Sequence, residues 1–165
     1  MVANGQDIEA KDQNSLGQTA LGWAAFIGYE DIVDYLLSQH ANLWATDRAD
    51  VPSVLKSAAL GKNLAVFKKI YSLMKDQVNL DDQTADTQGE TLMIVAASND
   101  RRDIVEYLLQ SGANPNLVTT EQDKSNPAYD QDALTFACSR HLTDMAQLLI
   151  HHGAVNHRTG LAACD

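Results

Sequence analysis

Apolar positions come along this chain in paired runs. From Leu92 to Ala97 they are continuous, Leu-Met-Ile-Val-Ala-Ala, and end in two small residues that allow close packing. Thr91 stands just before them, where a side-chain oxygen can accept a backbone N–H of the first turn, and Asn99-Asp100 follows as a turn pair. The next run has a different rhythm. Ile104, Val105, Leu108 and Leu109 lie on one helical stripe, Arg101, Arg102, Asp103 and Glu106 fall on the wet face, and Gly112 stands where a helix end favours left-handed backbone. Residues 89–116 therefore predict two short antiparallel helices closed by a turn.

The same order returns elsewhere. Gly17-Gln-Thr-Ala-Leu-Gly-Trp-Ala-Ala25, then Asp31-Ile-Val-Asp-Tyr-Leu-Leu37 and Ala41-Asn42, match it almost position for position, with Thr19 in the place of Thr91. A further copy starts at Asp132-Ala-Leu-Thr-Phe-Ala-Cys138, continues through Met145-Ala-Gln-Leu-Leu-Ile150 and closes with Gly153-Ala-Val-Asn156. A fourth is degenerate. Ser53-Val-Leu-Lys-Ser-Ala-Ala59 and Val66-Phe-Lys-Lys-Ile70 keep the skeleton, but residues 74–80 lack the Gly-Ala-Asn ending and Lys69 holds a position expected to be Leu.

Gly-x-Thr-x-Leu/Met-x-x-Ala-Ala, an Ile-Val-x-x-Leu-Leu helix and Gly-Ala-Asn-x-Asn together resemble the ankyrin repeat, whose period is about 33 residues. The resemblance implies an all-α fold, an ankyrin-repeat solenoid of about four helix-turn-helix repeats with projecting hairpin fingers. The repeats are expected over residues 14–46, 47–85, 86–118 and 127–157, in a single domain spanning 1–165. Thr19 to Ser53 is 34 residues, Ser53 to Thr91 is 38 and Thr91 to Asp132 is 41, so the later junctions carry insertions. The longest, residues 117–131, is polar, contains Pro127 and Tyr129, and has no helical or strand period. It reads equally as a projecting binding finger and as a tolerated surface insertion.

Both ends carry partial units. Gly5 to Asp12 resembles the hairpin finger of a repeat whose helix pair is not there, and Gly160-Leu-Ala-Ala-Cys-Asp165 resembles the start of another inner helix. A solenoid repeat buries its faces only against its neighbours. Three readings stay open: a piece of a longer protein, a removed leader with Met1 added, or a first full repeat that acts as its own cap.

Composition narrows the function. With 165 residues and 45% apolar content the chain can bury a core, and no apolar run approaches the roughly 20 residues of a spanning helix. Residues 1–13 do not form a signal peptide, so the expectation is a soluble cytoplasmic monomer, with a periplasmic or secreted location as the alternative if a leader was removed. A net charge of −10 argues against nucleic acid and for a protein partner with a basic surface. Acidic residues gather at Asp76, Asp81, Asp82, Asp86 and Glu90 and again at Glu121, Asp123, Asp130 and Asp132, while Lys56, Lys62, Lys68, Lys69 and Lys75 gather in the degenerate repeat. Cys138, in a small-residue helix slot, predicts a buried apolar thiol, and Cys164 a mobile one; their spacing does not demand a disulfide.

No Gly-x-Ser-x-Gly, phosphate-binding glycine loop or paired zinc-ligand spacing occurs, so neither catalysis nor a cofactor is expected. His151, His152, His157 and Cys164 are the nearest approach to a metal set, but adjacent helix residues point apart. His40 and His141 stand where the pattern has Gly, which predicts left-handed or turn backbone. The family presents ligands on finger tips and on the concave side of its inner helices. That resemblance implies partner-binding candidates at Phe26, Ile27, Trp44, Arg48, Asp50, Asn99, Tyr129 and Arg140. Phe26 and Ile27 are apolar where the pattern exposes a polar pair, so they read either as a hot spot or as a packing surface for an N-terminal cap. Trp44 replaces a hairpin Asn, and Trp23 replaces a core Leu and is expected in the core. Three function classes follow: a non-enzymatic protein-binding module acting through the concave surface and finger loops, a stand-alone acidic inhibitor or immunity-type protein that blocks a basic active site, and, most weakly, a metal or small-molecule binder.

Overall fold

A computed structural model describes residues 7–13, 17–49, 52–84 and 88–164. Each predicted apolar run forms a helix, and the described residues contain eight helices and no strand longer than an isolated bridge, Thr46 to Pro52. The fold is all-α, built from helix pairs. The chain divides into two compact units between Gln77 and Val78.

The first unit holds α1 (Ala20–Ile27), α2 (Glu30–Ser38), α3 (Val54–Leu60) and α4 (Leu64–Met74). Thr19 caps α1 by accepting the Gly22 backbone N–H at 3.3 Å, and Gly28 ends it at φ 89, where a Cβ would be strained and would meet Asn63. Asn63 caps α4, accepting from Ala65 and Val66. Ser53, by contrast, makes no side-chain cap to α3. The pairs stack α1 on α3 and α2 on α4. Leu21, Val33, Val54, Phe67 and Ile70 fill the core with no more than 1% of their surface exposed, each contributing about 1.5–3 kcal/mol of apolar burial. The stack is tight at Gly61, where an added Cβ would lie 2.8 Å from the Phe26 carbonyl oxygen and 2.9 Å from that of Ala25.

The second unit repeats the plan with α5 (Leu92–Ser98), α6 (Arg102–Gln110), α7 (Ala133–Ser139) and α8 (Thr143–His151). Thr91 caps α5 by accepting the Ile94 N–H at 3.2 Å. Asp132 does so for α7 in a reciprocal box: its carboxylate accepts the Thr135 N–H while the Thr135 hydroxyl accepts the Asp132 N–H. The turn residues behave as the pattern requires, with His40, Asp100 and His141 at φ 63, 54 and 57. Residues 117–131 contain no helix or strand, and hydrogen bonds hold them in place: the Thr119 N–H donates to Gln131, its hydroxyl to Ala128, and the Thr120 N–H to Gln88.

Three expectations are corrected. Cys138 is half-buried rather than a buried free thiol, and it forms a disulfide with Cys164, their Cα atoms 5.4 Å apart. Cys164 is thereby tied down, and the segment around it is not helical; Asn156 holds it by donating from its backbone to Leu161 and from Nδ2 to the Cys164 carbonyl. Trp23 is half-buried rather than core because its indole N–H donates to the Asp12 carboxylate, which keeps one edge of the ring at the surface against Phe26.

Candidate partner-binding surface

The two helix pairs of the first unit are related by an internal repeat. The α3–α4 pair reaches back to α1–α2 through four positions. Gly61 lies on the Phe26 and Ala25 carbonyls, and Asn63 donates from Nδ2 to the Gly28 carbonyl at 2.9 Å and to Glu30 at 3.2 Å. Val66 is fully buried, and Lys69 donates to both carboxylate oxygens of Asp34 at 2.7 and 2.8 Å. The Asp34 hydrogen bond raises the Lys69 pKa above its ordinary value. Counting back 34 residues, the same positions in the first helix pair are Ile27, Tyr29, Ile32 and Tyr35. They are 49, 55, 45 and 47% exposed. The second unit uses the same seating, with Arg140 at the position of Gly61, donating to the Ser98 carbonyl at 2.7 Å, and Met145 fully buried at that of Val66.

The structure separates the eight predicted contact residues. Phe26 and Ile27 share the last turn of α1 and are both exposed, and Trp44 is exposed in the loop after α2. Arg48 is exposed but engaged within the chain, its side chain packed over Gly17 and donating to the Asp12 carbonyl at 3.2 Å. Asn99 donates to Val95 and to the Ser98 hydroxyl within its own helix pair, and Arg140 lies over the Phe136 ring, 5.4 Å from its centre. Tyr129 is half-buried in the 117–131 loop. Asp50 lies outside the described residues. Exposed apolar surface among the eight is thus confined to Phe26, Ile27 and Trp44. The sequence around them is acidic, although Lys69 pairs with Asp34 and Lys11 donates to Thr46 and the Asp47 carbonyl. Residues 17–47 carry Glu30, Asp31, Asp34 and Asp47 and no Lys or Arg.

A polar cluster in the second unit was not foreseen from the sequence. Asp132, buried as the α7 cap, also faces His157 Nδ1 at 2.5 Å, and Asp130 faces Nε2 of the same ring at 2.9 Å. Arg158 adds an Nε bond of 2.9 Å to Asp130. The His157 hydrogen bond, then that of Arg158, holds the Asp130 carboxyl below the usual carboxylate range. Asp123 is likewise depressed, by the backbone N–H and hydroxyl of Ser125. The signal lay in Asp132 standing where the other strong repeats have Thr, since a carboxylate caps the helix with one oxygen and has a second to offer. With no nucleophile in it, the cluster latches the 156–164 segment beside a cavity of about 610 Å³ lined by Thr135, Leu142, Ala146, Ile150 and the disulfide. The residues considered for metal binding are otherwise engaged: Cys164 in the disulfide, His157 between two aspartates, and His151 and His152 edge-to-face at 5.3 Å. Among the described residues no group of three or more His, Cys, Asp or Glu is placed to hold a metal ion. No helix among them is long and apolar enough to cross a membrane.

Comparison with known proteins agrees with this geometry. The ankyrin repeat family matches residues 16–48 and 88–120, which contain α1–α2 and α5–α6. The chain is also 28% identical over 138 residues to the potassium channel AKT2/3 of Arabidopsis thaliana, covering 67% of this chain and 17% of the channel. It is 26% identical over 148 residues to the E3 ubiquitin-protein ligase KEG of the same organism, covering 89% of this chain and 8% of the ligase. The chain thus spans less than a fifth of either relative.

Proposed function

The chain is an ankyrin-repeat protein, and from that premise we propose that it is a non-enzymatic protein-binding module whose contact surface in the first unit is centred on Phe26, Ile27 and Trp44. The observation that carries the reading is the exposed apolar pair Phe26-Ile27, whose counterpart in the second unit is the polar pair Ser98-Asn99. Large side chains of this kind supply most of the energy at interfaces when a partner buries them. The net charge of −10 favours a basic partner, and pre-formed helices lower the ordering cost of association. The match to short segments of a channel and of a ligase supports a module that recurs among proteins of different activity. The test is capture of partners by wild type and by a Phe26→Ala/Trp44→Ala variant. A basic protein held by the wild type and released by the variant is expected, and equal capture by both rejects this surface.

A second reading has its own support. The Cys138–Cys164 disulfide favours an oxidising compartment, periplasmic or secreted, over the cytoplasm, and with the net charge of −10 it suits an acidic inhibitor acting there. Association by an acidic plug slows steeply as salt rises, whereas contacts carried mainly by the apolar Phe26, Ile27 and Trp44 side chains lose less affinity. Alkylation trapping of the thiols in cells of the source organism tests the compartment: a protected disulfide supports export, and two free thiols reject it.

A further inference from the structure

We propose that His157 is a pH-operated clasp: with both ring nitrogens protonated it joins Asp130 and Asp132 to the 156–164 segment, and loss of one proton to water releases Asp130 while the bond to Asp132 stays. The inference goes beyond the binding-module reading and does not depend on where a partner docks.

Two carboxylates place the same demand on one ring. Asp132 is fully buried and already caps α7, its Oδ1 accepting the Thr135 N–H at 2.7 Å. Its Oδ2 lies 2.5 Å from His157 Nδ1 and 3.4 Å from the His157 backbone nitrogen. A buried carboxylate is costly unless its oxygens find donors, so Nδ1 carries a proton. Asp130 Oδ1 faces the other ring nitrogen, Nε2, at 2.9 Å, and its Oδ2 accepts from Arg158 Nε at 2.9 Å. The His157 and Arg158 bonds keep Asp130 ionised, and an ionised carboxylate only accepts. Nε2 must therefore donate as well. A neutral imidazole has one N–H, and only the doubly protonated ring satisfies both acids. The charged groups around it come from three places: Asp132 from the α7 cap, Asp130 from the end of the 117–131 loop, and Arg158 from the ring's own segment, where it shares Asp130 with the ring.

The two acids do not hold the ring equally. The Asp132 side chain is 1% exposed and that of Asp130 is 42% exposed. Water can take the place of the ring at Asp130 but not at Asp132, so a neutral ring keeps its proton on Nδ1 and turns a lone pair toward Asp130. The clasp is complete on the acid side of the ring's titration and opens as pH rises through it. Its effect falls on the loop, because the 156–164 segment keeps the disulfide and the bond from Asn156 to the Cys164 carbonyl. Asp130 has left-handed backbone, φ 52, which a residue other than glycine keeps where its contacts hold it. Losing one of those contacts loosens its neighbours Tyr129 and Gln131, whose amides donate to the Asn126 carbonyl and the Thr119 hydroxyl.

The experiment uses the full chain, with ring nitrogen chemical shifts and amide exchange, corrected for base catalysis, followed by NMR from about pH 5 to about pH 9. The expected result is two ring N–H groups at the acid end and one, on Nδ1, at the alkaline end. Across the same titration, exchange at Tyr129 and Gln131 should rise about threefold relative to the Asp132 amide, which the Thr135 hydroxyl holds throughout. His157→Gln, whose side chain does not titrate, should abolish that rise. A ring with a single proton at the acid end overturns the proposal, as does a neutral ring protonated on Nε2, a flat exchange ratio through the ring's titration, or a rise that persists in His157→Gln. The first three outcomes are read on the wild type and decide the matter if the variant does not fold.

Discussion

Arg140 reaches back 2.7 Å to the carbonyl oxygen of Ser98, at the position where Gly61 lies against the carbonyl of Phe26. One position in the repeat thus seats each following helix pair on the end of the preceding inner helix, once with a bare glycine backbone and once with a guanidinium. The second solution gives a candidate contact residue a structural bond as well.

Arg140→Ala should therefore act on stability. Losing a charge-assisted hydrogen bond at a half-exposed site and the packing over Phe136 should cost about 1–2 kcal/mol. The urea midpoint should fall, while affinity for a captured partner stays within about twofold. Lower affinity at unchanged stability would return Arg140 to the binding surface.

The disulfide closes a stretch with a sequence separation of 26. On chain-entropy grounds it should stabilise the protein by about 3 kcal/mol. Cys138→Ala/Cys164→Ala, or reduction of the wild type, should lower the unfolding free energy by that order and raise hydrogen exchange over residues 156–164. An unchanged unfolding curve after verified reduction would show that the hydrogen bonds of Asn156 and His157 hold the segment unaided.

Acid should loosen the same latch. Asp130 has its folded pKa depressed, chiefly by His157, so its contribution to stability is fully present above the ordinary carboxylate value of about 4 and disappears as pH falls through the depressed one. Asp130→Asn keeps a residue that tolerates the left-handed backbone at φ 52 but cannot ionise. It should lower stability at neutral pH and flatten the acid limb of the stability curve below about pH 4. A variant that tracks the wild-type acid limb in parallel would assign that limb to other carboxylates.

Local chemistry was legible in the sequence wherever one residue determines it. Thr19 and Thr91 cap the helices they precede, and His40 and His141 take the left-handed backbone that a glycine position demands. The degenerate repeat also forms its two helices, α3 and α4, and its anomalous Lys69 faces Asp34 across the stack. What escaped depends on distance between residues remote in sequence. Spacing alone does not show that Cys138 and Cys164 approach to 5.4 Å, or that Asp132, Asp130 and His157 converge from a cap and two loops. The exposure of Tyr29, Ile32 and Tyr35 also escaped, because they follow the amphipathic pattern and stand out only against buried counterparts such as Val66 and Met145.

The central claim is that the first unit carries the binding surface, and hydrogen exchange of the full chain with and without its captured partner tests it most directly. The account predicts slowed exchange over residues 24–46, which include Phe26, Ile27, Ile32, Tyr35 and Trp44. Protection confined to the 117–131 loop, with residues 24–46 unchanged, would contradict it.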